Sequence, residues 1–567
     1  MNIFSRAAMF AHVMYWRMTW EKYDLHYPSP VKGNPKFMTA WEAAQLIPDE
    51  AVIGTSGMGG NQRPALLYWA VRDRFKAEGH PKDCTLIGVG GQGGRGRVPG
   101  TAEELAIEGL LKCTITGHTE TFKAQLKLAH EKKMELQCSL IGMITLVLKE
   151  QMEGRNYFIS DTGAGTFIDP RTGKGTPVWP PDAPQYVEMT EDGRFKYSLP
   201  FINVALVNAP AADRKGNIYF KGASVIGDSY SITKAAKRNG GVSIVNVGRI
   251  VEEGYDDEVL PAEFVDAVVY WPGTEQTTTI KHRKYWDCFT PHSKTPLDKG
   301  LAKARQINHI LGIMPKRKPI DDVMARLATR VFADHAKKGD TVDIGIGLPE
   351  EVARLLYHSG VLKELNMLTE AGVYGGVAAP GVFFGAAINP EKIVPSSAAF
   401  ERMYERLDWA ILGLLEADSD GNVNVSNRGE GILNHVGPGG FIDLITCAKN
   451  ILFVSPWGVK SEIEVQGDHV KIVKQGKSKF VEKVFEITFN GQEALKHGKN
   501  VYYVCHIGGF RLTSRGMELM YVMPGIDPQK DIIDACPMRI VLPESGSPIV
   551  VGADVVTGKG FSFELQH

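Results

Sequence analysis

The 567-residue chain carries 64 basic and 65 acidic residues and is 43% apolar and 23% charged. That length exceeds one ordinary hydrophobic core, so two or more domains are expected. The balanced charge offers no general attraction for nucleic acid or an anionic membrane surface. Seven cysteines, with no C-x-x-C pair and no metal-ligand spacing, argue against a disulfide framework or a zinc site and suit reduced thiols in the cytoplasm. Glycine is the unusual residue: there are 61, about 11% against roughly 7% in an average chain, with no collagen-like repeat to account for them.

Residues 1–38 contain Met14, Trp16, Trp20 and Tyr23, interrupted by Arg6, Arg17, Glu21 and Lys22. No signal-peptide core survives that interruption, and no later stretch reaches 18 uncharged apolar residues. A soluble protein is expected, with this extension forming an amphipathic helix packed on the body or on a partner subunit. Next, Ala51-Val52-Ile53-Gly54 reads as a buried strand that breaks into a loop with Gly57, Gly59, Gly60 and Pro64, followed by a helix over 65–75. Gly91-Gln92-Gly93-Gly94-Arg95-Gly96 then fits G-x-G-x-x-G after the apolar run 86–89. Pro99-Gly100 intervenes before a helical pattern at 102–111, however, and a dinucleotide fingerprint must open directly into its helix. Nicotinamide binding is disfavoured, and these glycines read as places where backbone comes close to something.

A break in composition follows at 274–320, with Thr277-Thr278-Thr279, a basic aromatic run at 281–286, Pro291, Pro296 and Lys316-Arg317-Lys318-Pro319. It reads as an interdomain connection. On either side the sequence echoes itself. Val342-Asp343-Ile344-Gly345-Ile346-Gly347-Leu348-Pro349 repeats the 51–64 pattern of strand, glycine loop and helix. Asp418-Ser419-Asp420-Gly421-Asn422 repeats Asp213-Arg214-Lys215-Gly216-Asn217, each a turn between two strands. The echoes lie closer together in the second half, so the first copy carries an insertion, placed at 156–200. The reading is a fused pair of related α/β domains: an extension at 1–38, a first domain at 39–285, a linker at 286–318 and a second domain at 319–567.

Two stretches carry chemistry. Gly437-Pro438-Gly439-Gly440-Phe441 precedes a helical segment at 443–450, and glycine amides before a helix suit an oxyanion or a phosphate, or make only a tight turn. In Leu368-Thr369-Glu370-Ala371-Gly372-Val373-Tyr374-Gly375-Gly376 a carboxylate stands at the end of an apolar strand, followed by small residues. A strand-end carboxylate in an α/β sheet faces the ligand crevice. Glu370 there can serve as base or nucleophile, or merely cap the turn.

The 368–376 stretch resembles the catalytic signature of CoA-transferases of the acetate/propionate and succinyl-CoA:3-oxoacid type. Gly345-Ile346-Gly347-Leu348-Pro349, Gly437 to Phe441, the loop 53–64 and Gly163-Ala164-Gly165 resemble further segments of that family in the same order. The resemblance implies two similar α/β domains (NagB/RpiA-like) in one chain and a homo-oligomer. It makes Glu370 the nucleophile of a ping-pong reaction between an acyl-CoA and a carboxylic acid, with coenzyme A as co-substrate and no metal or other cofactor. It gives the amides of Gly439 and Gly440 to the oxyanion, and CoA or substrate contacts to Gly345, Gly347, Ala371, Gly372, Gly375, Gly376 and Gly437. Three positions depart from the family pattern. Ile141 replaces a glutamine donor, Asp343 replaces an asparagine and so adds a second carboxylate near Glu370, and Tyr404-Glu405-Arg406 replaces a glycine-rich strip that borders the acyl pocket. Arg95, Arg97 and Arg406 are candidates to pair with a substrate carboxylate. Hydrolysis of a CoA-linked substrate, with Asp343 or Glu370 directing water, and a non-catalytic effector-binding module are the alternatives.

Overall fold

The computed structural model describes residues 3–94, 98–274, 277, 286–314 and 316–567. Two sheets organise it. In the first, Phe37–Met38, Ala267–Tyr270, Val242–Val251, Val204–Asp213, Val52–Thr55, Cys84–Gly88, Leu111–Thr116 and Glu135–Cys138 run parallel in that spatial order. Every residue of Val204–Asp213 is buried, because a parallel strand covered on both faces must be apolar throughout rather than alternating. In the second sheet, Asn366–Met367, Thr341–Ile344, Leu407–Leu412, Ala448–Val454 and Asn500–Cys505 run parallel. Gly508–Thr513 and Gly516–Val522 then continue antiparallel.

The internal echo is structural. Val52–Thr55 lies beside Val204–Asp213 as Thr341–Ile344 lies beside Leu407–Leu412. Both echoed turns are built on one aspartate. Asp213 Oδ1 accepts the N–H groups of Lys215, Gly216 and Asn217 at 2.9–3.0 Å, and Asp418 Oδ1 accepts those of Asp420 and Asn422 at 3.0–3.1 Å. Each turn folds a short antiparallel strand back on its predecessor.

Several expectations from the sequence need revision. The pattern at 102–111 is a single 3-10 turn, Ala102–Leu105, and a strand begins at Leu111. The helix expected at 443–450 is Phe441–Cys447, and a strand takes over at Ala448. Gly91 to Gly94 opens into no helix, and buried Gln92 pins that loop through hydrogen bonds with Tyr68 Oη, the Thr55 carbonyl and the Gly57 carbonyl. The segment 286–318 is not a bare tether. It contains the helix Leu297–Ile310, and Trp286, Phe289 and Ile307 share a small core with Val13, Phe383 and Ile388. Val13 belongs to the N-terminal helix Ile3–Thr19, which leaves Phe4, Phe10, Tyr15 and Met18 exposed on its outer side. None of the described helices is long and apolar enough to cross a membrane.

The segment 156–200 forms a three-stranded antiparallel sheet, Tyr157–Ser160, Phe195–Ser198 and Val187–Met189. Its Pro177–Trp179 also pairs with the edge strand Glu135–Cys138. From there it crosses to the second half: Phe167 N–H donates to the Ile487 carbonyl at 2.8 Å and Asn490 Nδ2 to the Gly165 carbonyl at 3.1 Å. It works as a strap between the two sheets.

Asp213 is 1% exposed and its second oxygen accepts from Asn217 Nδ2 and Tyr219 Oη at 2.8 and 3.1 Å. Asp213→Ala leaves buried donors unpaired, and a loss of about 3 kcal/mol is expected, read as a lower urea midpoint. Asp192→Ala, in an exposed hairpin, is expected to leave the midpoint in place.

Candidate active site

Strand Thr341–Ile344 ends in the pocket. Asp343 is 4% exposed there, and the chain turns through Gly345-Ile346-Gly347 into the helix Pro349–His358, whose first residue is a proline suited to that position. Gly347 N–H donates to Glu350 Oε1 at 3.0 Å and its carbonyl accepts Arg317 Nη2 at 2.6 Å, which ties the loop down. Beside it, the edge strand Asn366–Met367 delivers Leu368, Thr369 and Glu370. The turn after Glu370 closes by Gly372 N–H on the Thr369 carbonyl at 2.9 Å. Gly372 has φ +85°, and a Cβ there would collide with the Val394 carbonyl oxygen, so only glycine makes this turn.

The Glu370 carboxyl group lies flat against Gly440. A Cβ at Gly440 would fall 2.6 Å from Oε1 and 2.5 Å from Oε2, so the missing side chain is what admits the carboxylate. Gly440 itself is the first residue before the helix Phe441–Cys447, and among the described residues its N–H has no acceptor. The carboxyl group thus rests on the bare Cα of the residue that precedes this helix. Around Glu370 is a cavity of about 40 Å³ walled by Met58, Ile344, Ile346, Phe384 and a run of alanines, with Asp343 and Glu350 as its other acidic members. No lysine, arginine or histidine stands among these lining residues.

Met58 comes from the first half of the chain, so the pocket lies at the seam between the halves. Asn61 Nδ2 donates to the Phe384 carbonyl at 2.7 Å, docking the Gly57–Gly60 loop. Farther along the seam, Gly439 N–H donates to the Gly117 carbonyl at 2.8 Å and Ile141 N–H to the Gly439 carbonyl at 3.3 Å. Gly142 N–H donates to Asp443 Oδ2 at 2.9 Å. Tyr404 Oη donates to Asp443 Oδ1 at 3.2 Å and contacts Thr162 Oγ1 at 2.6 Å. Tyr197 Oη continues the chain to the Thr162 carbonyl at 2.5 Å.

Three carboxyl groups therefore meet with no cation among the described residues that line the pocket. Burial pushes Asp343 up to about 7, partly offset by the Glu370 main-chain N–H. Burial likewise raises Asp443 to about 7, against the Gly142 N–H and the Tyr404 hydroxyl. Glu370 is held well above the ordinary carboxylate range, first by burial and then by Asp343 and Asp443. Such a cluster retains protons near neutrality and titrates as a unit.

The geometry sorts the residues singled out in the sequence. Asp343, Gly345, Glu370 and Ala371 line the pocket, and Gly440 touches the carboxyl group. Gly439 is corrected: its N–H is taken by Gly117 and is not free for an oxyanion. Gly347 and Gly372 shape the two loops. Gly375 and Gly376 turn the chain between two small hairpins, and Gly437 packs on the Gly117 carbonyl, so these three support the site rather than line it. Ile141, 4% exposed, packs into the seam. Tyr404 borders Asp443 instead of the pocket. Arg406 is corrected outright: it precedes strand Leu407–Leu412, at the end of the sheet opposite Glu370, and pairs with Asp408 at 2.8 Å and Asp340 at 3.7 Å. Arg95 and Arg97 lie outside the described residues. Sequence reasoning missed Met58, although Gly57 and Gly59 flank it, and Asp443, whose signal was its place three residues beyond Gly440.

Comparison with known proteins agrees with this arrangement. No protein-family model matches the chain. A caffeate CoA-transferase of Acetobacterium woodii is 32% identical over 511 residues, which is 88% of this chain and 93% of the relative. The chain belongs to the CoA-transferases. The acetate CoA-transferase YdiF of Escherichia coli K12 is 29% identical over 89% of this chain and 93% of its own length. The crystal structure of E. coli O157:H7 YdiF as a thioester complex with CoA superposes with a TM-score of 0.81 at 25% identity, covering 95% of this chain and all of that one. This CoA-transferase thus shares the two-sheet architecture from one end to the other.

Gly440→Ala tests the carboxyl contact. Gly440 has φ −90°, which any residue adopts, so the variant is expected to keep a cooperative melt, while a methyl group within 2.6 Å of the Glu370 carboxyl oxygens displaces them and turnover falls by at least about 100-fold, the scale of misplacing a reacting group by about 1 Å. Thermal melts and initial rates on one preparation check both halves of the prediction.

Proposed function

We propose that this CoA-transferase carries CoA from an acyl-CoA to a short monocarboxylic acid through a thioester on Glu370. The carrying observation is the Glu370 carboxyl group laid against Gly440 at the mouth of a small apolar pocket. The Glu370 carboxylate attacks the thioester carbonyl, and CoA thiolate leaves with formation of a mixed anhydride. The thiolate then attacks the glutamyl carbonyl, and the first acid departs as its carboxylate. A second carboxylate reverses both steps and leaves as its CoA ester. The Gly440 N–H, which has no acceptor among the described residues, is the amide assigned to the tetrahedral oxyanion, a contribution of about 3 kcal/mol for one such donor. A carboxylate is a weak nucleophile, so contacts to the distant parts of CoA must be stronger in the transition state than in the ground state. The CoA thioester complex formed by E. coli YdiF supports the reading. Coenzyme A is the one co-substrate this chemistry needs.

Pocket size and charge define the acid. At roughly 10–15 Å³ for each water-sized occupant, a cavity of about 40 Å³ takes a chain of two to four heavy atoms. A second carboxylate on the substrate would face Asp343 and Glu350, and like-charge contact costs several kcal/mol.

Incubation with acetyl-CoA followed by borohydride or hydroxylamine is expected to modify the peptide bearing Glu370, and Glu370→Gln to abolish turnover while retaining CoA binding. Steady release of free CoA with no adduct would instead establish hydrolysis. Among acceptors, acetate and propionate are expected to exceed malonate and succinate in kcat/KM by at least about 100-fold, the factor that corresponds to about 3 kcal/mol. Equal rates for the dicarboxylates would overturn the pocket assignment.

A further inference from the structure

Asp343 and Asp443 flank the nucleophile in different ways. Asp443 has both oxygens engaged, one by the Gly142 N–H and one by the Tyr404 hydroxyl. Both partners donate, so both favour its anion. Asp343 lines the same pocket as Glu370 and is buried, yet among the described residues nothing hydrogen-bonds to its Oδ2. An orphaned buried carboxylate oxygen is costly, and protonation removes the charge that makes it so. The titratable groups around it are acidic on every side. Glu370 comes from the neighbouring strand end, Asp443 from the helix Phe441–Cys447 beyond Glu370, and Glu350 from the helix Pro349–His358. Arg317 and Arg305 act on Glu350 from behind, and neither lines the pocket. Asp340 and Asp408 stand at the far end of the sheet with Arg406. With no cation in the pocket lining, two adjacent carboxyl groups keep one proton between them.

We propose that Asp343 is the proton-holding partner of Glu370, taking the proton from Glu370 as the nucleophile forms and returning it when the carboxyl group is regenerated. The inference rests on Glu370 being the nucleophile. In the free enzyme the pair shares one proton. As the acyl-CoA enters, the Glu370 O–H bond breaks and an O–H bond forms on Asp343 Oδ2, while the freed Glu370 oxygen attacks the thioester. The proton stays on Asp343 through the anhydride and the glutamyl thioester, and CoA leaves and returns as thiolate, so the exchange takes up and releases no proton overall. Protonated, Asp343 presents an O–H donor to the reacting carboxyl group. The active form thus has one proton on the pair. With two protons there is no nucleophile, and with none the pocket holds two anions and lacks its donor.

The experiment is the pH dependence of kcat/KM for the acceptor acid in the wild type, Asp343→Asn and Asp343→Ala, with the borohydride trap run on each. The wild type is expected to give a bell whose alkaline side falls about tenfold per pH unit. Asparagine cannot lose a proton, so Asp343→Asn is expected to remain flat to pH 9, within about tenfold of the wild-type optimum. Asp343→Ala is expected to lose the alkaline fall as well, and to run at least about tenfold below the asparagine variant because it lacks a donor. A residue needed only for packing would lower the whole profile without changing its shape. An alkaline fall that persists in both variants while the Glu370 adduct still forms overturns the inference. Absence of the adduct in all three proteins overturns the reading of Glu370 itself.

Discussion

The site depends on one electrostatic constraint: the chain places the Glu370 carboxyl group where no lysine, arginine or histidine lines the pocket. In water a carboxylate is stabilised by solvent, and here most of that solvent is excluded. Protons retained by the cluster stand in for it, and the bare surface of Gly440 makes room for the carboxyl group. The consequence for stability has a definite sign. Asp343 and Asp443 are raised, so the folded chain binds more protons than the unfolded chain between the ordinary carboxylate range and about 7. Their contribution favours folding at low pH and is lost as pH rises through that window. Asp321, which is held below its ordinary value chiefly by its hydrogen bond to His506 against burial, contributes in the opposite sense. The active site is therefore held in place against its own electrostatics by the packing around it.

That packing is the seam between the two sheets. Gly59, Gly142 and Gly437 let the halves meet: a Cβ would fall 2.6 Å from the Phe384 carbonyl oxygen at the first, against Asp443 Oδ1 at the second and 2.8 Å from the Gly117 carbonyl oxygen at the third. A Cβ at Gly142 would strike the Asp443 carboxyl group and lie 2.8 Å from the Phe400 ring. The glycine excess is thus partly a packing requirement at the seam. Only some of those residues face the pocket, and more than half of the described glycines stand at positive φ, where a turn needs them.

The division between what sequence revealed and what it hid follows from this. The strand–loop–helix echoes around Gly54 and Gly345, and the aspartate turns at Asp213 and Asp418, were legible because each depends on local chemistry within a dozen residues. Glu370 was legible for the same reason, as a carboxylate at a strand end among glycines. Gly439 was misjudged because its N–H acceptor, the Gly117 carbonyl, is more than 300 positions away in the chain. Arg406 was misjudged because proximity to the pocket in a motif does not say which end of a strand a residue occupies. Met58 and Phe384 were missed because an apolar wall has no signature until two halves of the chain meet.

Asp443 joins the two themes. Its oxygens bind Gly142 of the first half and Tyr404 of the second, and Tyr404 reaches Thr162 and then Tyr197 in the strap. If the seam opened, water would replace the Gly142 N–H and reach the carboxyl group, and the main cause of its raised pKa would be removed. Asp443 would then carry a full charge beside Glu370 at neutral pH, raising the proton affinity of Glu370 and reducing its ionised fraction. The closed seam therefore does more than exclude water: it holds Asp443 buried and partly protonated, which moderates the repulsion Glu370 must overcome to ionise. The strap, although remote from the pocket, bears on the chemistry through the hydroxyl of Tyr404.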